Sequence, residues 1–315
     1  MQIPPTETPG TPPVPKGQKS TPLRRRLLIG ALLLLLLTLA AILVLMLTGV
    51  KPLPWITEPA GVRHYLFAGK DNWGDLSTAE QGRSDAILLI TLDFDARHIS
   101  MTSFLRDTMV DMPGGSRNRL NTLVRLHGDE ALRAYIEEIY AIDIAGMFSI
   151  NFSGTVQVID ALGGITIDLT RAEANYLRRT VGNYGAEFTL REGPSRLNGA
   201  QALGYMRCRS LDNDFGRTNR QASVLNALLQ EARTMSLAQV LRVVPEVLGF
   251  YTTDLNLGEQ LALARGLFAL RDAPLRRHQI PAEGTYRYTS ANGASMLRIN
   301  AEKNRELFAA FLAGE

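Results

Sequence analysis

Apolar residues run almost unbroken and without charge from Leu27 to Thr48, 22 positions in all. As a helix at ~1.5 Å per residue they reach about 33 Å, enough to cross the hydrocarbon core of a bilayer. Past residue 61 the pattern changes to short runs and 3.6-residue stripes. His64–Ala68 reads as a strand ending in Gly69-Lys70-Asp71. The continuous run Ala86–Leu92 reads as a strand buried on both faces. Ile99–Leu105 is another strand, ending at Arg106-Asp107, and Asp129–Tyr140 carries a helical stripe of Leu132, Tyr135, Ile136 and Ile139. Phe148–Phe152 is a strand, Ser153 caps a helix over Gly154–Leu162, and Gly163-Gly164 stops it before strand Ile165–Leu169.

Asn198 is placed to cap a short helix that Gly204 stops, after which Tyr205-Met-Arg-Cys-Arg209 reads as a strand. Alternation then sets Tyr205, Arg207 and Arg209 on one face and turns Met206 and Cys208 into the core. Helices are predicted over Arg217–Arg233, Ser236–Leu248 with an internal Pro245, and Leu257–Leu270 capped by Asn256. Strands near His278–Ile280 and Met296–Ile299 and a last helix capped by Asn300 close the chain. Strands alternating with helices predict a three-layer α/β/α sandwich around a central mixed sheet, with the strand order left open.

Charge refines the division. Residues 1–26 carry Lys16, Lys19, Arg24, Arg25 and Arg26 against Glu7, a net +4 in a chain whose total is +3, so the remainder is −1. The basicity belongs to a proline-rich tail, and a polyanion-binding surface for nucleic acid is not indicated. The arginine cluster before the apolar run places that side in the cytoplasm, and no small-residue cleavage site follows. The expected organisation is a disordered tail (1–26), a transmembrane signal anchor (27–48), a linker (49–60) and an extracytoplasmic domain (61–315) held at the cell membrane by a single pass. The lone Cys208 allows no internal disulfide and reads as a core thiol.

Three constellations carry candidate chemistry. Asp71, Arg83 and Asp85 join the end of one strand to the start of the next; two converging carboxylates suit magnesium shared with phosphate, and two turn-capping aspartates would look the same. Arg106-Asp107 ends a strand, where ligands of open α/β sheets gather, or is an exposed ion pair. Arg207, Arg209, Arg217, Arg220 and Gln221 with Asp214 crowd fifteen residues; gathering guanidiniums without an anion costs like-charge repulsion, so a phosphate is expected there. The four histidines have no paired metal-ligand spacing, and neither a Gly-x-Ser-x-Gly elbow nor a P-loop is present.

Taken together, Asp71, Gly82-Arg-Ser-Asp85, Arg106-Asp-Thr108, Asn151-Phe-Ser-Gly154 with Asp160-Ala-Leu-Gly-Gly164, Leu197-Asn-Gly with Tyr205-Met-Arg-Cys-Arg209, and Asp214-Phe-Gly-Arg217 with Arg220-Gln221 resemble the LytR-CpsA-Psr family over about residues 61–232. The resemblance implies a magnesium-dependent phosphotransferase that moves an anionic glycopolymer from a polyprenyl-diphosphate carrier to a peptidoglycan sugar hydroxyl. It implies Asp71 and Asp85 as magnesium holders, Arg83, Arg106, Arg207, Arg209, Arg217 and Gln221 as the diphosphate grip, and Asp214 as an essential acid. Asp85 and Asp214 are the candidates for accepting the hydroxyl proton. The polyprenyl tail is expected in an apolar tunnel between sheet and helices. Lys70, Leu105 and Arg119-Leu-Asn121 depart from the usual family pattern. The competing readings are a polyprenyl-diphosphate hydrolase and a non-catalytic membrane-bound regulator of envelope synthesis.

Overall fold

The computed structural model describes residues 60–73, 82–183, 188–208, 210–211, 214–235, 239, 242–243, 246–291 and 294–314, with the backbone alone at 214, 233, 291 and 294. The expected tail, membrane anchor and most of the linker lie outside these residues, as do Arg209 and most of the helix expected over Ser236–Leu248. Among the described residues no helix is long and apolar enough to cross a membrane.

In chain order, β1 (Val62–Lys70), β2 (Ser84–Asp93) and β3 (His98–Phe104) form an antiparallel meander. The short pair β4 (Met109–Asp111) and β5 (Arg117–Arg119) leads to helices α1 (Leu120–His127) and α2 (Asp129–Tyr140). Strand β6 (Ile144–Ile150) returns parallel to β1, followed by α3 (Phe152–Ala161). Strands β7 (Ile165–Leu169) and β8 (Gly193–Leu197) pair in a separate ribbon around α4 (Arg171–Thr180). Helices α5 (Gly199–Arg207) and α6 (Asp214–Thr234) follow. Then come β9 (Tyr251–Thr253), α7 (Leu257–Ala269), β10 (Leu275–Ile280), the hairpin β11 (Tyr286–Ala291) with β12 (Ala294–Ile299), and α8 (Ala301–Ala313).

The central sheet is mixed, in the order β10-β3-β2-β1-β6-β9. Alternation along β1 and β2 sends Leu66, Ala68, Ile87 and Leu89 to one face, against Leu132 and Ile136 of α2 and Phe308 of α8. Tyr65, Leu88 and Ile90 go to the other, against Ala222 of α6 and Leu263 of α7. Helices on both faces are why Ala86–Leu92 reads as an unbroken apolar run. A third cluster joins Ile159, Ile165, Leu177, Leu197 and Tyr205 to Val224 of α6.

Two local expectations are overturned. Asn151, not Ser153, caps α3: strand β6 ends at Ile150, and the Asn151 side chain accepts from the Gly154 N–H at 2.8 Å. The Ser153 hydroxyl instead donates to the Trp73 carbonyl at 3.2 Å. Tyr205–Arg207 is not a strand but the last turn of α5, which begins at the Asn198–Gln201 capping box and runs through Gly204. Gly204 is there for contact, since a Cβ at that position would lie 2.5 Å from Cγ2 of Val181. Tyr205 and Arg207 therefore do not share a strand face. Tyr205 and Cys208 are buried, Arg207 is exposed, and Met206 is only partly covered.

The antiparallel and parallel pairings bring the carboxyl ends of β1, β3, β6 and β10 to one edge, where β2 begins. Ligand sites of α/β sheets form at such an edge.

Candidate functional site

At that edge a cleft of about 290 Å³ opens between the sheet and helices α3, α5 and α6. Lys70, Asp71 and Asp85 line it from the strand ends, Phe152 and Thr155 from α3, Leu203, Met206 and Arg207 from α5, and Arg217 and Gln221 from α6. The approach of α3 to α5 needs Gly199, where a Cβ would overlap the Val156 carbonyl oxygen.

The sheet side is a buried charge network. Asp85 Oδ1 accepts from Arg106 Nη1 at 2.8 Å and from Asn121 Nδ2 at 3.4 Å. Its Oδ2 pairs with Arg217 Nη2 at 2.9 Å, and the same nitrogen donates to the Asp85 carbonyl at 3.2 Å. The Arg217 side chain is 4% exposed and that of Asp85 13%, so breaking this pair costs about 3–5 kcal/mol. Lys70, also 4% exposed, reaches Asp129 Oδ2 at 3.0 Å, where the Ser149 hydroxyl donates as well at 2.7 Å.

Asp71 does both things the sequence left open. Its Oδ1 accepts from the Arg83 N–H at 2.6 Å while its own N–H donates to the Arg83 carbonyl at 3.0 Å, which ties β1 to β2 as a turn cap does. The same carboxylate lines the cleft. On the helix side, exposed Arg207 lies over the Phe152 ring, 4.7 Å from its centroid.

The structure thus brings Asp71, Asp85, Arg207, Arg217 and Gln221 into one cleft, with Arg106 attached through Asp85. Arg83 is exposed and takes part through its backbone. Arg209 and the Asp214 side chain lie outside what is described; the Asp214 backbone starts α6. Arg220, one turn from Arg217 in the sequence, turns away: it donates to the Cys208 carbonyl at 2.8 Å and faces Glu173 at 3.7 Å. Beside it, burial and then Glu173 push the Tyr205 phenol up, so it stays neutral. Lys70, Phe152 and Thr155 are cleft residues that the sequence does not assign to the site, although Lys70 stands out as a departure from the family pattern and Phe152 belongs to the Asn151-Phe-Ser-Gly154 motif.

Among the described residues no group of three or more His, Cys, Asp or Glu side chains gathers to hold a metal. Two carboxylates line the cleft; Asp85 is engaged by Arg106 and Arg217, and Asp71 is an oxygen ligand of the kind magnesium takes when phosphates complete its shell.

A family model described as the LytR_cpsA_psr family matches residues 57–311. Among curated relatives, the chain is 29% identical over 204 residues to the polyisoprenyl-teichoic acid–peptidoglycan teichoic acid transferase TagV of Bacillus subtilis, covering 63% of this chain and 51% of that one. It is 32% identical over 211 residues to the transferase TagU of Enterococcus faecalis (66% of this chain, 65% of that one). With the regulatory protein MsrR of Staphylococcus aureus it shares 28% over 244 residues (76% and 72%). The chain thus spans about half the length of TagV and about two thirds of TagU. Among solved structures, the crystal structure of B. subtilis TagV superposes with a TM-score of 0.64 at 25% identity, covering 81% of this chain and 99% of that one. TagT bound to LIIa-WTA superposes at 0.65 and 22%, covering 82% and 93%, which speaks for the fold. A family match across the whole described domain, on a fold these structures share, makes this chain a member of the LytR-CpsA-Psr family.

Proposed function

We propose that the chain is a phosphotransferase that moves an anionic glycopolymer from a polyprenyl-diphosphate carrier to a sugar hydroxyl of peptidoglycan. The observation that carries this reading is the cleft itself, in which Arg207, Arg217 and Asp71 face an apolar wall of Ile150, Leu203 and Met206. A doubly phosphorylated lipid has both chemistries, and the relatives named as transferases act on polyisoprenyl-linked teichoic acid and peptidoglycan. The residues fit magnesium, which Asp71 would hold together with the substrate's phosphates. Bound there, the ion would neutralise phosphate charge as it grows in the transition state. Residues 27–48 supply the membrane anchor in this reading, and the domain works outside the cytoplasm.

The acceptor oxygen forms a bond to the glycan-linked phosphorus while the bond from that phosphorus to the bridging oxygen breaks, and polyprenyl phosphate leaves with the electron pair. Transfer of this type asks the protein mainly for alignment and charge stabilisation, which Arg207 and Arg217 provide. Both Asp85 oxygens already accept from guanidiniums, so Asp85 serves here to orient Arg106 and Arg217. With a loose transition state the hydroxyl proton leaves late, to solvent.

Reconstitution separates the readings. Full-length protein in lipid vesicles is given lipid-linked glycopolymer and magnesium, with and without peptidoglycan, and the glycan-bound phosphate is followed. Covalent capture by peptidoglycan is the expected result. Release of free glycan phosphate with peptidoglycan present would make the protein a hydrolase, and binding without turnover a regulator such as MsrR is named to be.

A further inference from the structure

A second cleft, of about 330 Å³, is linked to the first by one ion pair. Arg106 lines it, while Nη1 of the same side chain reaches Asp85 in the first cleft. Its character is different. Phe215 from the first turn of α6 and Tyr288 of β11 contribute aromatic rings. Tyr286, on the same face of β11, ties them together, with its ring 5.4 Å from Phe215 and 6.1 Å from Tyr288 in an edge-on pairing. The Tyr288 side chain stays 67% exposed. Around these rings stand Asp107, Arg119 and Thr218.

The cleft is pinned rather than loosely assembled. The Leu297 N–H donates to the Asp107 carbonyl at 2.9 Å, which fixes the β11–β12 hairpin to the turn between β3 and β4. Nε and Nη2 of Arg119 donate to the Ser295 carbonyl at 3.1 and 2.8 Å, and Nε of Arg119 lies 3.2 Å from Asp107 Oδ1. A cleft lined by two aromatic rings together with the charged Arg106, Asp107 and Arg119 is not a lipid slot, which would be apolar throughout. The two guanidiniums that line it, Arg106 and Arg119, already lie 3.6 and 3.2 Å from the Asp107 carboxylate, which offsets part of the charge a second phosphate would need.

We propose that this second cleft is a sugar-binding subsite that seats the acceptor glycan. A pyranose presents a flat C–H face, which stacks on an exposed ring, and an equator of hydroxyls, which a carboxylate and a guanidinium can bind. The volume is that of a small-ligand cleft, roughly 300–1,000 Å³. Position selects the acceptor over the carrier's own sugar. The attacking hydroxyl must approach the phosphorus in line with the leaving oxygen, from a side the phosphate grip does not fill. The second cleft, joined to the first through the Arg106–Asp85 contact, is where the proposal seats the sugar that carries that hydroxyl. The proposal rests on the transferase reading of the first cleft and adds where its second substrate lies.

The test uses full-length protein in detergent micelles, and the probe is a peptidoglycan tetrasaccharide free of lipid. Binding is followed by saturation-transfer NMR and titration calorimetry, alongside titration with polyprenyl diphosphate. Tyr288→Ala is expected to weaken tetrasaccharide binding by about tenfold or more, and Tyr288→Trp to keep it within about threefold. Both variants should bind polyprenyl diphosphate as the wild type does. Because Tyr288 is exposed on a hairpin, loss of fold is not expected, and the unchanged diphosphate titration verifies it. Wild-type tetrasaccharide affinity in Tyr288→Ala would overturn the proposal. So would weakened binding of the glycan-linked carrier with the tetrasaccharide unaffected, since that assigns the cleft to the donor. Failure of the transferase reading shows elsewhere, as undiminished polyprenyl-diphosphate binding by Arg207→Ala.

Discussion

The two walls of the first cleft present positive charge in opposite ways. On the sheet side Arg217 and Lys70 are 4% exposed and bonded to carboxylates, Asp85 and Asp129, before any ligand arrives. On the helix side Arg207 stands in solvent, laid across the Phe152 ring. The first wall holds its geometry through a desolvated network that makes up part of the fold. The second offers a solvent-exposed cation laid on a ring, a weak contact that contributes little to the fold. Substitutions on the two walls should therefore separate stability from activity.

The sharpest contrast comes from Asp85→Ala, which takes from Arg106 and Arg217 the carboxylate they share. It should lower stability by about 3–5 kcal/mol in denaturant unfolding and abolish transfer with it. Arg207→Ala should reduce transfer by about 10²–10³, the loss typical of one charge-stabilising donor, while the unfolding midpoint stays at the wild-type value. If the two substitutions gave the same ratio of stability to activity loss, the distinction between the walls would fail. Gly199→Ala sharpens it from the scaffold: forcing α5 away from Val156 should cost about 1–3 kcal/mol and widen the helix side, raising KM for the lipid carrier. Phe152→Leu removes only the ring beneath Arg207, worth about 0.5–1 kcal/mol at an exposed site, and should raise that KM by about two- to fivefold.

The smallest effect lies far from both walls. Burial lowers the pKa of His64 from its ordinary 6.5, against a smaller opposing pull from Asp143, and its Nδ1 lies 2.8 Å from the Thr91 hydroxyl. As pH falls below about 6.5 the unfolded chain takes up this proton first. The contribution is complete above that pH and is lost progressively down to the lowered folded-state value. His64→Gln should flatten that part of a stability–pH curve and leave relative activity on the two walls unchanged.

Much of this was legible where the local signal and the tertiary role coincide. Asn256 and Asn300 cap α7 and α8 as expected, because a cap is a contact within four residues. The run Ala86–Leu92 and the stripe of Leu132 and Ile136 reveal faces that the core does cover. Where sequence reading failed, a distant partner had decided the matter. Gly204 resembles a helix stop, yet its missing side chain makes room for Val181 and Leu177 of the neighbouring helix region. A five-residue stretch such as Tyr205–Arg209 fits a period of 2 or 3.6 almost equally well. Strand β7 was found by its pattern, but its pairing with β8 outside the central sheet depends on a partner nearly thirty residues on. In the site, Arg217 and Arg220 look alike by residue type and spacing, and only the family resemblance put Arg217 alone in the grip; contact with Asp85 in one case and with the Cys208 carbonyl in the other gives the physical reason. Phe152 stands in the Asn151-Phe-Ser-Gly154 motif but reads there as the end of a strand, with nothing local to show that its ring lies under Arg207.

The central claim is that this cleft grips a diphosphate carried on a lipid, with Arg207 as the cation the fold can spare. Titration of polyprenyl diphosphate into full-length protein and into Arg207→Ala, with magnesium present and both folds matched by circular dichroism, tests it most directly. Saturable binding that weakens by about tenfold or more in the variant is the predicted result. Equal affinity in the two proteins would contradict it.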